Sequence, residues 1–257
     1  MKIKASVISH LGKVRKNNED NFFFNEFILQ EEKLTKPYKM KSKTDVPILM
    51  GVFDGMGGIS AGERASLITA TTARNVSYTL YDPDEIDSTL LRICKSANEV
   101  VCNEMLNVIK GRMGTTASML CFFEEHYHLC NIGDSPIFLF RDNKLSEISY
   151  EHTEKENYIL IYGEENVPKD KKFRLTQHIG IFPEELQIEP YLSCDEIKKG
   201  DRFVICSDGL TDMVKEPQLV KILSAYHSPV KALKKLLNAA LDNGGRDNIT
   251  IIVIDVC

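Results

Sequence analysis

The chain has 257 residues, of which 43% are hydrophobic and 27% charged, and its net charge is -5. That balance fits a globular chain with a sizeable apolar core and excludes a low-complexity protein. The acidic balance, with no basic stripe, argues against nucleic acid and anionic membranes as partners, and no apolar run reaches the length of a membrane span.

Lys2 to Ile8 alternates weakly and predicts a first strand; Phe22 to Leu29 predicts a second. Glu31 to Asp45 is lysine-rich, carries Pro37 and reads as a basic loop, its lysines solvated or docking an acidic partner. Pro47 to Phe53 is the third predicted strand. Ala61, Ala65, Ile68 and Thr72 recur at helical spacing, so a helix is expected from about Ser60 to Tyr78. Asp82-Pro83-Asp84 marks the start of the next, because Asp caps exposed amides and Pro suits a first turn. Ile86, Leu90, Ile93, Ala97, Val101, Met105 and Val108 would form its apolar face.

Short strands follow at Thr116 to Phe123, Tyr127 to Ile132, Pro136 to Arg141 and Ser146 to Ser149, a meander punctuated by turn residues. Glu154 to Lys172 is polar and reads as a small surface insertion. Strands are expected at Leu186 to Leu192, Arg202 to Cys206 and Ile249 to Val256, with helices at Pro217 to Ala225 and Pro229 to Leu241. Strands and helices segregate along the chain, which suits an α+β layered fold. No internal repeat or linker divides it.

Four acidic strings stand at the ends of apolar runs. Val52-Phe53-Asp54-Gly55 and Ile205-Cys206-Ser207-Asp208-Gly209 each stop abruptly at Asp-Gly. Glu19-Asp20 precedes Phe22 to Phe24, and Asp247-Asn248 precedes Ile249 to Ile254. Any one of these acids alone reads best as a turn residue or helix cap. Together they predict a hard-cation site of oxygen ligands. Asp54 is the candidate bridge between two cations, with the Gly55 carbonyl and Glu19 on one ion and Asp208 and Asp247 on the other. Two such ions about 3.5–4 Å apart can hold a bridging hydroxide in line with phosphorus.

These strings also resemble the metal-dependent Ser/Thr protein phosphatases of the type 2C (PPM) family, its compact bacterial form above all. The resemblance runs from Ser9 to Val256. It is carried in order by Gly12-Lys13-Val14-Arg15-Lys16-Asn17-Asn18-Glu19-Asp20, Asp54-Gly55-Met56-Gly57-Gly58, Gly114-Thr115-Thr116-Ala117, Asn131-Ile132-Gly133-Asp134-Ser135, Ser207-Asp208-Gly209-Leu210 and Asp247-Asn248-Ile249-Thr250. It implies a single-domain, four-layer αββα sandwich over residues 1–257: two antiparallel sheets flanked by helix pairs, with a short flap at about 154–172. It implies two Mn²⁺ or Mg²⁺ held by Glu19, Asp54, Gly55, Asp208 and Asp247, Asp20 orienting water, and a third, weaker ion at Asp134 with Asp208. Arg15 takes the position that binds substrate phosphate.

The expected activity is hydrolysis of phosphoserine or phosphothreonine in proteins, with a Ser/Thr kinase and its substrates as signalling partners of a monomeric phosphatase. A non-catalytic phosphoprotein-binding module on the same fold and a small-phosphoester hydrolase are the alternatives. Met56 stands where some members carry a proton-donating His, and Ile59-Ser60 depart from the His found in related bacterial sequences. His152 is expected to be structural, and Gln177 replaces a frequent Arg. His126, His128 and Cys130 alternate on one strand and suit zinc, but no fourth ligand is evident; an outer strand face is the plainer reading. Seven scattered cysteines without a Cys-x-x-Cys pair argue for reduced thiols, and the start of the chain lacks the apolar stretch of a signal peptide, so a cytoplasmic location is expected.

Overall fold

Period-two alternation of apolar side chains builds both halves of the sandwich. The computed structural model describes residues 1–30, 33–57, 61–80, 83–168 and 172–257. The first sheet contains β1 (Lys2–His10), β4 (Tyr38–Lys43), β10 (Ile137–Arg141), β11 (Lys144–Glu147), β13 (Arg202–Cys206) and β14 (Ile249–Val256). The second contains β2 (Asn21–Phe24), β3 (Phe27–Ile28), β5 (Ile48–Phe53), β8 (Ala117–Phe123), β9 (His126–Ile132) and β12 (Tyr191–Glu196). β6 (Gly55–Gly57) and β7 (Met113–Thr115) form a small ribbon beside them. The strand orders are β11-β10-β13-β14-β1-β4 and β12-β9-β8-β5-β2-β3, and every pairing is antiparallel.

Each strand divides its side chains between two interfaces. Phe22, Phe24, Met50, Val52, Leu120 and Phe122 point between the sheets, where they meet Ile3, Val7, Phe203, Ile252 and Ile254. Their neighbours Phe23, Leu49, Phe53, Met119 and Cys121 face the other way, against Ala65, Ile68, Leu90, Ile93 and Ala97 of α1 (Ala61–Ser77) and α2 (Ile86–Glu104). On the far side, Val204, Cys206, Ile251 and Val253 pack against Leu219, Leu223, Leu233 and Leu236 of α5 (Glu216–Ala225) and α6 (Pro229–Asp242). Three apolar interfaces between four layers give the expected αββα order. The remaining helices are α3 (Lys155–Tyr162), outside the layers, and α4 (Asp208–Thr211), one turn long.

Several local expectations change. Phe22 to Leu29 is a hairpin, because Asn25 and Glu26 adopt positive φ and turn the chain between β2 and β3. The lysine-rich segment is not all loop: β4 pairs with β1 as an edge strand, and Lys39, Lys41 and Lys43 guard that edge against further pairing. The predicted strand at Leu186 to Leu192 lies instead at Tyr191–Glu196, past Pro190, which lacks the amide a ladder needs. The second helix becomes a π turn at Met105–Ile109, which leaves Val108 62% exposed. Ser60 and the cap at Asp82 lie outside the described residues.

The face shared by His128 and Cys130 is covered by α2, with Tyr127 and Leu129 turned between the sheets. His128 Nδ1 sits 2.7 Å from Asp87 Oδ1 and Nε2 3.8 Å from Cys194 Sγ, while Cys130 is buried beside Cys94. These residues hold α2 and β12 against β9.

Candidate active site

Antiparallel register gathers the acidic strings at one end of the sandwich. Asn21 at the start of β2 is paired with Phe53 at the end of β5, so Glu19-Asp20 and Asp54 emerge side by side. Cys206 at the end of β13 is paired with Ile251 near the start of β14, which brings Asp208 to Asp247. β8 starts opposite the ends of β5 and β9, so Asp134 leaves at the same end. β1 also finishes there, with His10 paired to Ile249, and leads into Arg15.

Backbone contacts fix the central carboxylate. The Asp54 amide donates to Thr116 Oγ1 at 3.0 Å, and its carbonyl accepts from the Thr116 amide and the Thr115 hydroxyl, each at 2.9 Å. The next amide, of Gly55, donates to the Glu19 carbonyl at 3.1 Å. Gly55 has no room for a side chain: a Cβ would stand 2.2 Å from the Gly62 carbonyl oxygen and 2.4 Å from that of Glu19. A Cβ on Gly62 would in turn lie 2.9 Å from the Glu19 carboxyl carbon. The start of α1 therefore closes on the Glu19–Gly55 pair through two glycines.

Residues beside the motif acids complete the frame. Asn248 accepts from the Glu19 amide at 2.8 Å and donates to the carbonyls of Leu11 and Asn17, each at 3.0 Å. Ser207 donates to Asp20 Oδ2 at 2.7 Å and accepts from the Thr250 amide at 3.0 Å. Buried Thr116 and Ser135 share a 2.7 Å hydrogen bond. His152 is buried, with its amide donating to the Gly133 carbonyl at 3.1 Å, and so supports the turn that carries Asp134. Gln177 spans to the 187–189 segment through the Gln187 carbonyl and the Glu189 amide.

Burial dominates the electrostatics, with acid crowding behind it. Burial and then the charges of Asp20, Asp208, Asp134 and Asp247 push the Asp54 carboxyl well above the usual range. Burial lifts Asp20 to about 7, against hydrogen bonds from Ser207 and Thr250. Asp134 rises to about 6 through burial and the Asp208 charge. Asp208 and Glu19 are also raised, mainly by burial, with Lys172 and Arg15 respectively pulling them back. Asp54, Asp134 and Asp208 keep part of their surface open to solvent, yet the surrounding protein makes burial the largest cause of each shift.

Among the described residues, no three Asp, Glu, His or Cys side chains close around one point as an assembled ion site. Protein groups hold several of the acids instead. Arg15 lies 2.6 Å from Asp247 Oδ2, and Lys172 lies 2.8 Å from Asp208 Oδ2 and 2.7 Å from Asp212 Oδ2. The donor set still suits a divalent cation. It offers only oxygen, its carboxylates raise one another's pKa, and the glycine pair leaves the Glu19–Gly55 corner free of side chains.

The structure thus brings Arg15, Glu19, Asp20, Asp54, Gly55, Asp134, Asp208 and Asp247 to one end of the molecule. Met56 lies beside them on β6, whereas Ile59-Ser60 fall outside the described residues. Sequence reasoning gave no role to Lys172 or Asp212. It took in Asn248, Thr116 and Ser207 only as letters of the motifs, although a polar residue beside a strand-end acid is a signal for such a frame.

A two-sheet αββα sandwich with an oxygen-rich, cation-suited centre at one end defines a class of metal-dependent hydrolase folds. The family model for protein phosphatase 2C matches residues 38–243. The chain belongs to the protein phosphatase 2C family. It is similar to the serine/threonine protein phosphatase PstP of Mycobacterium tuberculosis, at 28% identity over 99% of this chain and 45% of that protein. The chain thus spans just under half the length of that curated relative. A putative protein phosphatase 2C-type of Streptococcus pyogenes is 28% identical, over 98% of this chain and 97% of its own length. Among solved structures, the catalytic domain of the phosphatase PstP in complex with two manganese ions superposes with a TM-score of 0.80, at 25% identity and with all of both chains covered.

Proposed function

We propose that the chain hydrolyses phosphoserine and phosphothreonine in proteins, using two Mn²⁺ or Mg²⁺ ions. The observation that carries this reading is the convergence of Glu19, Asp54, Asp208 and Asp247, each carboxylate the family pattern asks for, at one end of the sandwich. A binding module that had given up catalysis would be expected to lack at least one of them. The relative whose structure contains two manganese ions supports the choice and number of metals.

In this reading Asp54 would be shared between the two ions, Glu19 and the Gly55 carbonyl would help to hold one, and Asp208 and Asp247 would help to hold the other. When bound, the cations supply positive charge against the phosphoryl group and lower the pKa of a water. Asp20, held by Ser207, orients water near Asp54. Arg15 is 47% exposed and presents a planar fork of donors that can meet two phosphate oxygens once it turns from Asp247. That motion also frees Asp247. Met56 offers no proton, so the leaving alkoxide takes one from water. Residues 154–172 act as the flap of one domain spanning the chain, and its short length leaves the carboxylate end open to protein substrates.

No described helix is long and apolar enough to cross a membrane. The seven cysteines are free thiols, which supports a reducing, cytoplasmic setting, with a Ser/Thr kinase and its substrates as the natural counterparts.

Phosphate release from a phosphothreonine peptide in Mn²⁺, Mg²⁺ and EDTA tests the proposal. Release with either metal and none in EDTA is expected; silence of folded protein with every metal would favour the binding module. Arg15→Ala should raise KM for the phosphopeptide about tenfold and leave metal binding intact. Unchanged kinetics would remove Arg15 from the phosphate site.

A further inference from the structure

Lysines gather on one exposed sheet face that the phosphatase reading leaves without a task. β4 is the last strand of its sheet, so one row of its amides and carbonyls faces outward. Lys39, Lys41 and Lys43 alternate along it, and all three are exposed. Their face continues onto β1, where Lys4 stands directly opposite Lys41, and Lys2 opposite Lys43. Lys2 and Lys4 are exposed as well. Five ammonium groups thus share two neighbouring strands in a chain whose net charge is -5.

Like charges directly opposite each other on a sheet destabilise it. The fold supplies no counter-charge: among the described residues, none of the five lysines belongs to an ion pair. The acid next in line, Asp255 opposite Lys4 on β14, is held by Arg202 at 2.5 and 2.9 Å. An external anion would relieve the repulsion.

The other face of β4 narrows the kind of anion. Tyr38, Met40 and Ser42 alternate with the lysines. Tyr38 is 48% exposed and stacks on Phe27 at 4.7 Å, and Met40 packs against the core between the sheets. An extended peptide along β4 matches all three features. Its main chain pairs with the open edge, acids at alternate positions meet Lys39, Lys41 and Lys43, and apolar residues between them cover Tyr38 and Met40. Nucleic acid and phospholipid carry the charge but have no amide row for the edge. The lysines that keep neutral and basic strands away would therefore admit an acidic one.

We propose that β4 is a docking edge for an acidic, extended segment of a partner protein, which adds to the first sheet as a further strand with acids at alternate positions. Lys43 pairs with Lys2 at the end of β1 away from His10, so the lysine row leads away from the carboxylate end. An occupant of the edge leaves that end open.

The test uses the intact chain in EDTA, so that no metal takes part, and a fluorescent peptide of alternating Glu and Val. A peptide of the same composition with its Glu residues in one block keeps the charge and loses the pattern. Lys41→Glu reverses the central charge, Lys41→Arg keeps it, and Lys221→Glu makes the same net change on α5. Fluorescence anisotropy should show the alternating peptide binding wild type, Lys41→Arg and Lys221→Glu alike, and Lys41→Glu about tenfold more weakly. The blocked peptide should bind wild type more weakly than the alternating one. Amide exchange of residues 38–43 should slow when the alternating peptide is bound. Without peptide, Lys41→Glu should melt about 1–2 °C higher than wild type, because Lys4 gains an opposite charge. Equal affinity for the two peptides, unchanged exchange at 38–43, wild-type affinity in Lys41→Glu, or no binding to wild type would overturn the inference. So would a lower melting temperature for Lys41→Glu, which would reveal a counter-charge within the fold. A single-stranded oligonucleotide or phosphatidylserine vesicles binding as tightly as the peptide would overturn it too, by making the face a general polyanion surface. Phosphate release tests the phosphatase reading separately, and none of these outcomes bears on it.

Discussion

The carboxylate end of the sandwich and the helix α3 are held by different forces. β5 is buried along its whole length, and the Asp54 that follows it is gripped by Thr115, Thr116 and the Glu19–Gly55 contact. α3 has no buried residue, and Leu160 and Ile161 are 80% and 70% exposed. Rigid strands can hold like charges close together because the register has already been fixed by apolar packing. α3 has no such reserve and is held by surface contacts: Lys155 on Glu151, the Glu154 amide on the Arg174 carbonyl, and Tyr158 against Phe173. Repulsion is built into the first region, and exposure into the second.

The largest expected effect breaks the first region chemically without breaking it physically. Asp54→Asn should lower metal-dependent turnover about a thousandfold or more. Its melting temperature in EDTA should not fall, because the substitution removes a carboxylate that burial and four acidic neighbours penalise. A variant that kept normal turnover would exclude Asp54 as the bridge, and one that unfolded would show that the carboxylate helps to hold the frame.

Next in size is the packing beneath the site. Phe122 is fully buried between the sheets, edge-on to Phe203 with centroids 5.2 Å apart. Phe122→Ala should cost about 3–5 kcal/mol by denaturant melt. A loss below about 1 kcal/mol would mean that the interface between the sheets repacks freely.

Burial and repulsion of the acids together have a pH signature. Asp20 and Asp134 titrate at about 7 and about 6 in the fold, above the ordinary 3.8 of an unfolded Asp. The folded chain therefore keeps protons that the unfolded chain has lost. The penalty is absent below about pH 4 and grows until pH passes the folded values, so stability falls as pH rises through that window. In EDTA the melting temperature should drop on the order of 5 °C between pH 5.5 and 8, and saturating Mn²⁺ should flatten the slope. An equally steep slope with and without Mn²⁺ would mean that the cations do not relieve this crowding.

The smallest effect belongs to α3. Leu160→Ala should change stability by less than about 0.5 kcal/mol, since no buried contact is lost. A loss of about 2 kcal/mol would show that α3 packs on the body in solution and would erase the contrast.

Much of this was legible along the chain. The continuous apolar runs of Ile48 to Phe53 and Ile249 to Ile254, the helical spacing of Ile86 to Val101, and acids stopping apolar runs at Asp54 and Asp208 are local patterns, and local patterns survive in a one-dimensional reading. Turn chemistry at Asn25-Glu26 was local too, but an apolar run on either side masked it. β4 was harder, because an edge strand buries little and its lysines look like a loop until β1 lies beside them.

The sequence by itself determined the apolar runs that become the buried strands Ile48–Phe53, Arg202–Cys206 and Ile249–Val256, and the oxygen chemistry of the acids at their ends. Tertiary structure alone decided which charges meet. Arg15 reaches Asp247 across 232 positions, and Lys172 reaches Asp208 across 36. Neither separation has a periodicity to betray it. Those encounters follow from strand register and loop path, which are set by the summed burial of the layers and not by the charged residues themselves.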